Sequence, residues 1–334
     1  MDPRILFDHP YPFAIYRLPG EELGFKLILQ DDERAHPLDL STPGFAIAPF
    51  DESAAKGLMI KGEAQSLELP ESATRIRSIA HNSPDPTYIH MIEKGIEKIR
   101  SGGLQKIVLS RIASHSYEDV DYRFVLSRLA NNHPSAFVFY YYHPLCGAWF
   151  GASPEVLLQK SNETFSTMAL AGTKSQTDQR DWSEKEIDEQ AIVTMYIREE
   201  LRSKGIEDLL ESDTFTSSAG HIQHLQTNFN FEAQISPTEI LKALHPTPAT
   251  CGLPKNEALA YINNLETHPR DYYCGYLGPV QNNGDFDLFV NLRSARRIDS
   301  KIEIFVGGGI TADSVPSAEW FETELKSRTL LSVL

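Results

Sequence analysis

The sequence has few cysteines, and they form no pattern. Only three occur in 334 residues, at Cys146, Cys251 and Cys274. They are far apart, odd in number and without the Cys-x-x-Cys spacing of thiolate metal sites. This argues against both a disulfide framework and a zinc site.

Positive charge is also scarce. Lys and Arg together number 31 against 46 Asp and Glu, so the net charge is −15, and no basic stretch offsets it. Such a chain lacks the electrostatic surface that binds nucleic acids. An anionic substrate would therefore need locally placed Arg, Lys or metal charge.

Long apolar runs are missing as well. No stretch of about 20 apolar residues is present, so the sequence predicts no membrane span. The N-terminus, MDPRILFDHPYPF, carries proline and charge where a signal peptide needs an apolar run. We therefore expect a cytoplasmic protein, and in the absence of an interface signature we expect a monomer.

The composition that remains is that of a globular protein with a large core, 41% hydrophobic and 23% charged. Its most informative stretch is PSAEWFETELKSRTLL, residues 316–331. Helical spacing puts Glu319, Glu322 and Lys326 on one face. This face is either a solvated one with a Glu322–Lys326 ion pair, or a site for a divalent cation and then an anion. Trp320, Phe321, Leu325 and Leu330 are predicted to pack inward.

A second helix of the same kind is predicted from Ser183. Ser183 and Glu186 have capping-box spacing, so a cap and a metal contact are equally good interpretations of Glu186. Glu189 shares its face and has no capping explanation. Facing carboxylates from two helices suit a hard cation, Mg²⁺ or Ca²⁺. An apolar stripe is predicted on this helix at Ile187, Ala191 and Met195.

Two strand-like segments carry a candidate proton-transfer group. Lys106 begins KIVLSR, where a lysine is either a solvated edge residue or, in a closed pocket, a general base with a lowered pKa. Glu155 follows Pro154 at a bend in GASPEVLL. It is either an exposed turn residue or, if buried, a general acid.

Two small-residue segments are candidate anion sites. Gly172 would let backbone N–H groups approach an anion, and Thr173 adds a hydroxyl. Gly307-Gly308-Gly309, just before the last helix, is predicted to form a backbone nest.

Nine motifs in this order and spacing resemble the chorismate-utilising enzymes. They are KIVLSR, GASPEVLL, LAGT, EIDEQAIV, HPTPA, RDYYCGYLGPV, NLRSA, GGGIT and EWFETELK. That family includes isochorismate synthases, salicylate synthases, anthranilate synthase large subunits and aminodeoxychorismate synthases. The resemblance implies a single α+β domain over residues 1–334, with a variable part at 1–90 and a catalytic core at 91–334. It also implies two large antiparallel β-sheets packed together, with helices on the outside.

The resemblance further implies Mg²⁺ as cofactor and chorismate as small-molecule substrate. Lys106 matches the base that activates water, and Glu155 matches the general acid. Glu189 and Glu322 match direct Mg²⁺ ligands, and Glu186 and Glu319 match water-mediated ones. The remaining matches are substrate-binding positions: Gly172, Thr173, His224, Ala249, Tyr273, Arg293, Gly307 and Lys326.

A few residues select the subfamily. Members that use ammonia have Gln at the position of Lys106 and act with an amidotransferase partner. Aminodeoxychorismate synthases have a nucleophilic lysine at the position of Ala171. The resemblance therefore predicts the water-adding branch without such a partner, isochorismate synthase or, alternatively, salicylate synthase. HPTPA and GGGIT are more similar to the first, whose product would feed menaquinone or siderophore biosynthesis.

Two departures and two rival interpretations remain. Gln190 stands where the family often has His after the metal-binding glutamate. Lys174 stands where the family often has Arg after the Gly-Thr pair. Neither change removes a catalytic group. A metal-binding protein that kept the fold without catalysis is disfavoured by Lys106 and Glu155 together. A subunit of an ammonia-transferring complex is disfavoured by Lys106.

Overall fold

The computed structural model describes residues 6–7, 9–21, 24–71, 83–117 and 119–334. Runs of β-branched and aromatic residues between Gly, Pro and Asp turns form its strands. In chain order these are β1 Phe13–Arg17, β2 Phe25–Leu29, β3 His36–Pro37, β4 Gly44–Ala48, β5 Leu58–Lys61, β6 Gln65–Leu67, β7 Lys106–Ser116, β8 Phe137–His143, β9 Gly147–Ser153, β10 Val156–Ser161, β11 Thr164–Ser175, β12 Leu210–Glu211, β13 Phe215–Ala219, β14 Ile222–Glu232, β15 Gly252–Leu253, β16 Tyr276–Val280, β17 Phe286–Val290, β18 Ser294–Ile298 and β19 Lys301–Ile310.

These strands build two large sheets whose strand pairs are antiparallel. Sheet A has the order β15-β7-β19-β18-β9-β8-β1-β2-β6. Sheet B has the order β12-β14-β11-β10-β17-β16-β4-β5-β3, with β13 paired to β14. The described helices are α1 Pro86–Arg100, α2 Tyr122–Asn132, α3 Glu184–Ser203, α4 Pro237–Leu244, α5 Lys255–Leu265 and α6 Pro316–Leu331.

The two sheets pack face to face, as period-two alternation along β8 shows. Phe137 and Phe139 of this strand belong to the central core cluster, whereas Val138 and Tyr140 belong to the cluster on the outer face of sheet A. The Phe137 ring stacks on Phe289 of sheet B with centroids 4.2 Å apart. Helices α3 and α4 cover the outer face of sheet B. The predicted α+β architecture is therefore confirmed.

The chain crosses from one sheet to the other at two places, and each crossing separates two strands. GASPEVLL leaves sheet A after β9 and enters sheet B as β10, and FDLFVNLRSARRI makes the reverse crossing from β17 to β18. β9 pairs with β18 and β10 pairs with β17, so the two crossings lie side by side. Glu155 lies at one crossing and Arg293, with a positive φ of 49°, at the other.

The N-terminal strands belong to both sheets. β1 and β2 extend sheet A from β8, and β4 and β5 extend sheet B from β16. The described N-terminal strands therefore continue the same two layers as the rest of the chain.

The apolar faces predicted for two helices are partly wrong. In α3, Ile187 and Met195 are 50% and 43% exposed, and in α6 Phe321 is 50% exposed. The last helix instead buries a polar set that includes Glu319, Thr323 and Ser327. Spacing fixes which residues share a helix face, but the neighbouring strands decide which face is covered. The surface interpretation of the α6 charges is thereby excluded.

Candidate active site

A small cavity of about 60 Å³ lies beside the two sheet crossings. It brings together most of the predicted site residues: Glu155, Gly172, Thr173, Glu189, His224, Ala249, Tyr273, Arg293, Gly307, Glu322 and Lys326. The other predicted residues, Lys106, Glu186 and Glu319, touch members of this lining. Its mixture of apolar walls and converging polar groups is typical of a small-molecule site.

Lys106 is wholly buried at the start of β7, which excludes the solvated edge interpretation. Its Nζ lies 2.8 Å from Oε1 of Glu189, without the geometry of a hydrogen bond. Gly309 is next to both side chains, and a Cβ there would overlap the Glu189 carboxylate and approach Lys106 Cε to 3.0 Å. The absence of a side chain at Gly309 therefore permits the Lys106–Glu189 contact.

The glycine run is not the predicted backbone nest. Gly307, Gly308 and Gly309 are paired residues of β19 opposite β7, and none has a positive φ. A Cβ on Gly308 would lie 3.6 Å from Glu319 Oε2 and 3.7 Å from Glu322 Oε1. The run thus lets carboxylates from α3 and α6 approach the strand, which is a steric role rather than an anion cradle.

Glu155 is buried at the sheet crossing, so the exposed-turn interpretation is excluded as well. Burial raises the pKa of Glu155 to about 8, although Lys106, Lys326 and Arg293 act in the opposite direction. The carboxyl group is therefore mostly protonated at neutral pH. A protonated carboxyl can donate a proton to a departing group.

His224 connects the small-residue segment to Arg293. Burial, with help from Arg293, lowers the pKa of His224 to about 3, so the ring is neutral. Its partners fix the tautomer: Nδ1–H donates to the Gly172 carbonyl at 2.7 Å, and Nε2 accepts from Arg293 Nη2 at 3.0 Å. The neutral ring thereby holds the guanidinium toward the cavity.

Gly172 occupies a bulge inside β11 rather than a turn after the strand. The pairing register with β14 shifts between Ala171 and Lys174, and Gly172 has a positive φ of 67°. This is the left-handed region that favours glycine. A Cβ there would also meet Glu186 Cβ at 3.2 Å, so the bulge lets α3 lie close to the strand.

The carboxylates of α3 and α6 are each engaged by another group. Glu186 accepts hydrogen bonds from the Ser183 backbone N–H at 3.0 Å and from the Ser183 hydroxyl, so it caps α3. Three lysine ion pairs hold the rest: Lys106–Glu189 at 2.8 Å, Lys185–Glu319 at 2.6 Å and Lys326–Glu322 at 2.6 Å. The predicted Glu322–Lys326 pair therefore exists, but it lines the cavity.

The electrostatic surroundings of Glu319 and Glu322 on α6 differ. Burial and the charge of Glu322 raise the pKa of Glu319, against Lys185 and Ser314. Burial would also raise the pKa of Glu322, but Lys326 and Lys185 hold it below its usual range. The charges of Glu319, Glu322 and Glu189 in turn raise the pKa of Lys185, against burial.

The donor set fits a hard divalent cation in its chemistry. Glu189, Glu319 and Glu322 converge on Gly308 and Gly309, and Oε2 of Glu319 is buried without a hydrogen bond. Carboxylate oxygens are the ligands that Mg²⁺ prefers. Within the described residues, however, no three His, Cys, Asp or Glu side chains form a ready metal-binding group. Glu189, Glu319 and Glu322 are each paired with a lysine.

Sequence reasoning missed two parts of the site. Lys185 precedes Glu189 by four residues, so their common helix face was a signal that could have found it. Arg270 donates to the carbonyls of Val108 and Thr250, both at 2.7 Å, and pairs with the buried Glu266 at 2.6 Å. This network fixes the cavity wall around Thr250 relative to β7.

The comparisons with known proteins agree with this fold. The family model for chorismate binding enzymes matches residues 40–332. The chain therefore belongs to the chorismate binding enzymes, which confirms the resemblance drawn from its motifs.

Individual relatives extend this result. Isochorismate synthase EntC of Escherichia coli (strain K12) is 30% identical over 311 residues, 85% of this chain and 79% of that relative. Anthranilate synthase component 1 of Thermococcus kodakarensis is 28% identical over 301 residues, 86% of this chain and 68% of that relative. The structure of MenF, the menaquinone-specific isochorismate synthase of Escherichia coli, shares the fold with a TM-score of 0.82 at 20% identity, covering 100% of this chain and 91% of that one.

The length and composition of a helix decide whether it could span a membrane. In the part of the chain that the structure describes, no helix is long and apolar enough to cross a bilayer.

Proposed function

We propose that this protein is an isochorismate synthase. It would interconvert chorismate and isochorismate by attack of water at C2 of the ring with loss of the C4 hydroxyl. The observation that carries the proposal is a fully buried lysine and a buried glutamic acid with a pKa of about 8 at one cavity. The relatives named as isochorismate synthases support the same activity.

The two proton transfers fall to this chain's own residues. Lys106 would take a proton from water while the water oxygen bonds to C2. Glu155 would give its proton to the C4 oxygen, which then leaves as water. Positioned acids and bases of this kind typically contribute ~10²–10⁴ in rate each. The reverse reaction uses the same two groups in exchanged roles.

Substrate binding requires positive charge in a chain of net charge −15. Arg293, oriented by neutral His224, and Lys326 would bind the carboxylates of chorismate through charge-assisted hydrogen bonds. The other residues assigned to substrate contact in this proposal are Gly172, Thr173, Ala249, Tyr273 and Gly307.

We also propose Mg²⁺ as the cofactor. Glu189 and Glu322 would bind it directly, and Glu186 and Glu319 through water. When bound, the ion would neutralise a substrate carboxylate and hold the ring in place. The protein would act as a single-domain cytoplasmic monomer on a small molecule, without nucleic acid, a membrane or an amidotransferase.

The test is to incubate the purified protein with chorismate, with and without Mg²⁺, and to separate the products by chromatography. Isochorismate in reversible balance with chorismate, formed only with Mg²⁺, is the expected result. Salicylate plus pyruvate beyond spontaneous decay would assign a salicylate synthase instead. Anthranilate formed with ammonium would assign the ammonia-using branch.

Variants tie the product to the residues. Lys106→Ala and Glu155→Ala should each lose isochorismate formation while near-wild-type thermal unfolding shows that the fold survives. Lys160→Ala, which removes a lysine from a remote pair with Asp285, is the matched control. Near-wild-type turnover in either site variant would refute the assignment of that residue.

A further inference from the structure

Lys185 lies among the carboxylates that face the cavity from two helices. It is on the first turn of α3, and its Nζ donates to Oε1 of Glu319 on α6 at 2.6 Å. The charges of Glu319, Glu322 and Glu189 all act on its ammonium group. One lysine thus experiences three of the four carboxylates assigned above to the metal.

The position of Lys185 on its helix is an unfavourable one for a cation. The N-terminus of a helix carries partial positive charge, so acidic residues are favoured in the first turn and lysine is not. Glu184 and Glu186 follow that preference on either side of it. The contact with Glu319, not the local helix, therefore holds the ammonium in place.

Lys185 also differs from the other two lysines of the cluster. Lys106 is wholly buried, and Lys326 donates to the Gly307 carbonyl at 3.0 Å as well as to Glu322. The Lys185 side chain is 24% exposed, while its partner Glu319 is 1% exposed. Lys185 can therefore move into solvent without leaving a buried ammonium unpaired, and Glu319 cannot follow it.

Only one of the two carboxylate oxygens of Glu319 accepts a hydrogen bond. Oε1 of Glu319 accepts from Lys185, and Oε2 is buried without a hydrogen bond. A buried carboxylate oxygen without a partner is costly unless a ligand supplies one. Release of Lys185 would leave both oxygens available to a cation or to its water shell.

We propose that Lys185 is a tethered cation that neutralises the carboxylate cluster when no divalent ion is bound and is displaced from Glu319 when the ion binds. The inference rests on the proposed Mg²⁺ site. Because the ion must displace a competing ammonium, Lys185 lowers the apparent affinity for Mg²⁺. The same contact stabilises the metal-free protein, since it offsets the repulsion between Glu319 and Glu322.

The test compares wild type with Lys185→Met, in which the side chain keeps its length and loses its charge. Lys160→Met is the matched control, because Lys160 pairs with Asp285 at 3.7 Å, is 22% exposed and is remote from the cavity. Titration calorimetry of chelator-treated protein measures Mg²⁺ binding. We expect Lys185→Met to bind Mg²⁺ about tenfold more tightly than wild type, and Lys160→Met to bind it as wild type does.

Thermal unfolding gives a readout that is independent of turnover. Without Mg²⁺, Lys185→Met should unfold several degrees below wild type, and saturating Mg²⁺ should close that gap. Equal or weaker Mg²⁺ binding in Lys185→Met, or the same thermal loss with and without Mg²⁺, would overturn the inference. Such results describe an ordinary structural ion pair.

Two further comparisons separate failure of the Lys185 proposal from a folding defect and from failure of the proposed function. If Lys185→Met does not fold, Lys185→Arg serves instead. A guanidinium competes with Mg²⁺ for Glu319 at least as strongly as the ammonium does, so Lys185→Arg must not bind Mg²⁺ more tightly than wild type. Tighter binding refutes the proposal. Chorismate turnover by the same wild-type sample tests the proposed function. Turnover with unchanged Mg²⁺ affinity in Lys185→Met would refute only the role of Lys185.

Discussion

The pKa values of Glu155 at the sheet crossing and of Glu322 on the last helix are shifted in opposite directions, although both side chains face one cavity. At the crossing, burial outweighs three nearby cations and raises the pKa of Glu155 to about 8. On α6, Lys326 bonds directly to Glu322 and keeps its pKa low despite burial. The direct bond from Lys326 therefore outweighs burial at Glu322, whereas charges without such a bond do not outweigh burial at Glu155. This difference would place an acid and a set of metal ligands in the same cavity.

The test with the largest expected effect replaces the acid of Glu155 with an uncharged side chain of the same shape. Glu155→Gln cannot transfer a proton, so we expect kcat for isochorismate formation to fall by ~10²–10⁴. Steady-state kinetics with product chromatography measure the loss. Thermal unfolding at pH 6 is the control, because an uncharged isostere should preserve the fold there. A kcat within a few-fold of wild type would mean that Glu155 is not the acid.

A second test uses the pH dependence of stability. Between about pH 4.5 and pH 8 the folded protein retains the Glu155 proton that the unfolded chain has lost. The folded state then binds more protons, so the free energy of unfolding falls as pH rises, by up to ~1.4 kcal/mol per pH unit from this group. Urea unfolding at pH 5.5 and 7.5 should show wild type losing ~2–3 kcal/mol more than Glu155→Gln. Parallel losses in the two proteins would show that Glu155 has an ordinary pKa.

A third test alters the contact between Lys106 and Glu189. Gly309→Ala places a methyl group against the Glu189 carboxylate and Lys106, and such overpacking typically costs ~1–3 kcal/mol of unfolding free energy. Gly308→Ala is the matched variant, because its methyl meets carboxylate oxygens only at 3.6 Å and 3.7 Å. Chemical denaturation should therefore show a larger loss for Gly309→Ala. Equal losses would mean that the glycine run is needed for the strand rather than for the carboxylates.

The smallest effect is expected at Glu186, whose carboxylate caps a helix. Ser183→Ala removes the hydroxyl that contacts it and should cost ~0.5–2 kcal/mol of unfolding free energy, as loss of a helix cap does. Equilibrium urea unfolding measures this cost. The Mg²⁺ affinity of the variant shows whether the cap also positions Glu186 for the ion. No change in stability would indicate that the backbone N–H of Ser183 alone holds the carboxylate.

The resemblance to the chorismate-utilising enzymes predicted the two sheets and most cavity residues, whereas local patterns predicted individual strands and helices and only a few candidate residues. Pro154 marked the bend at Glu155, but nothing local showed that the chain changes sheet there or at Arg293. The glycine run illustrates the limit: consecutive glycines favour a nest, yet pairing with β7 keeps them extended. Lys185 was missed because its partner, Glu319, is 134 positions away in the chain. Such contacts depend on helix packing, which the sequence pattern does not specify.

The variable N-terminal part has a consequence for solubility. β1 lies between β8 and β2, and the family match begins only at residue 40. A chain truncated at that point would turn β8 into an edge strand with unpaired backbone N–H and C=O groups. Its sequence, FVFYYYH, is rich in aromatic residues and carries no acidic residue, lysine or arginine, the composition that promotes strand-to-strand aggregation. The first two strands thus shield an edge that would otherwise promote aggregation.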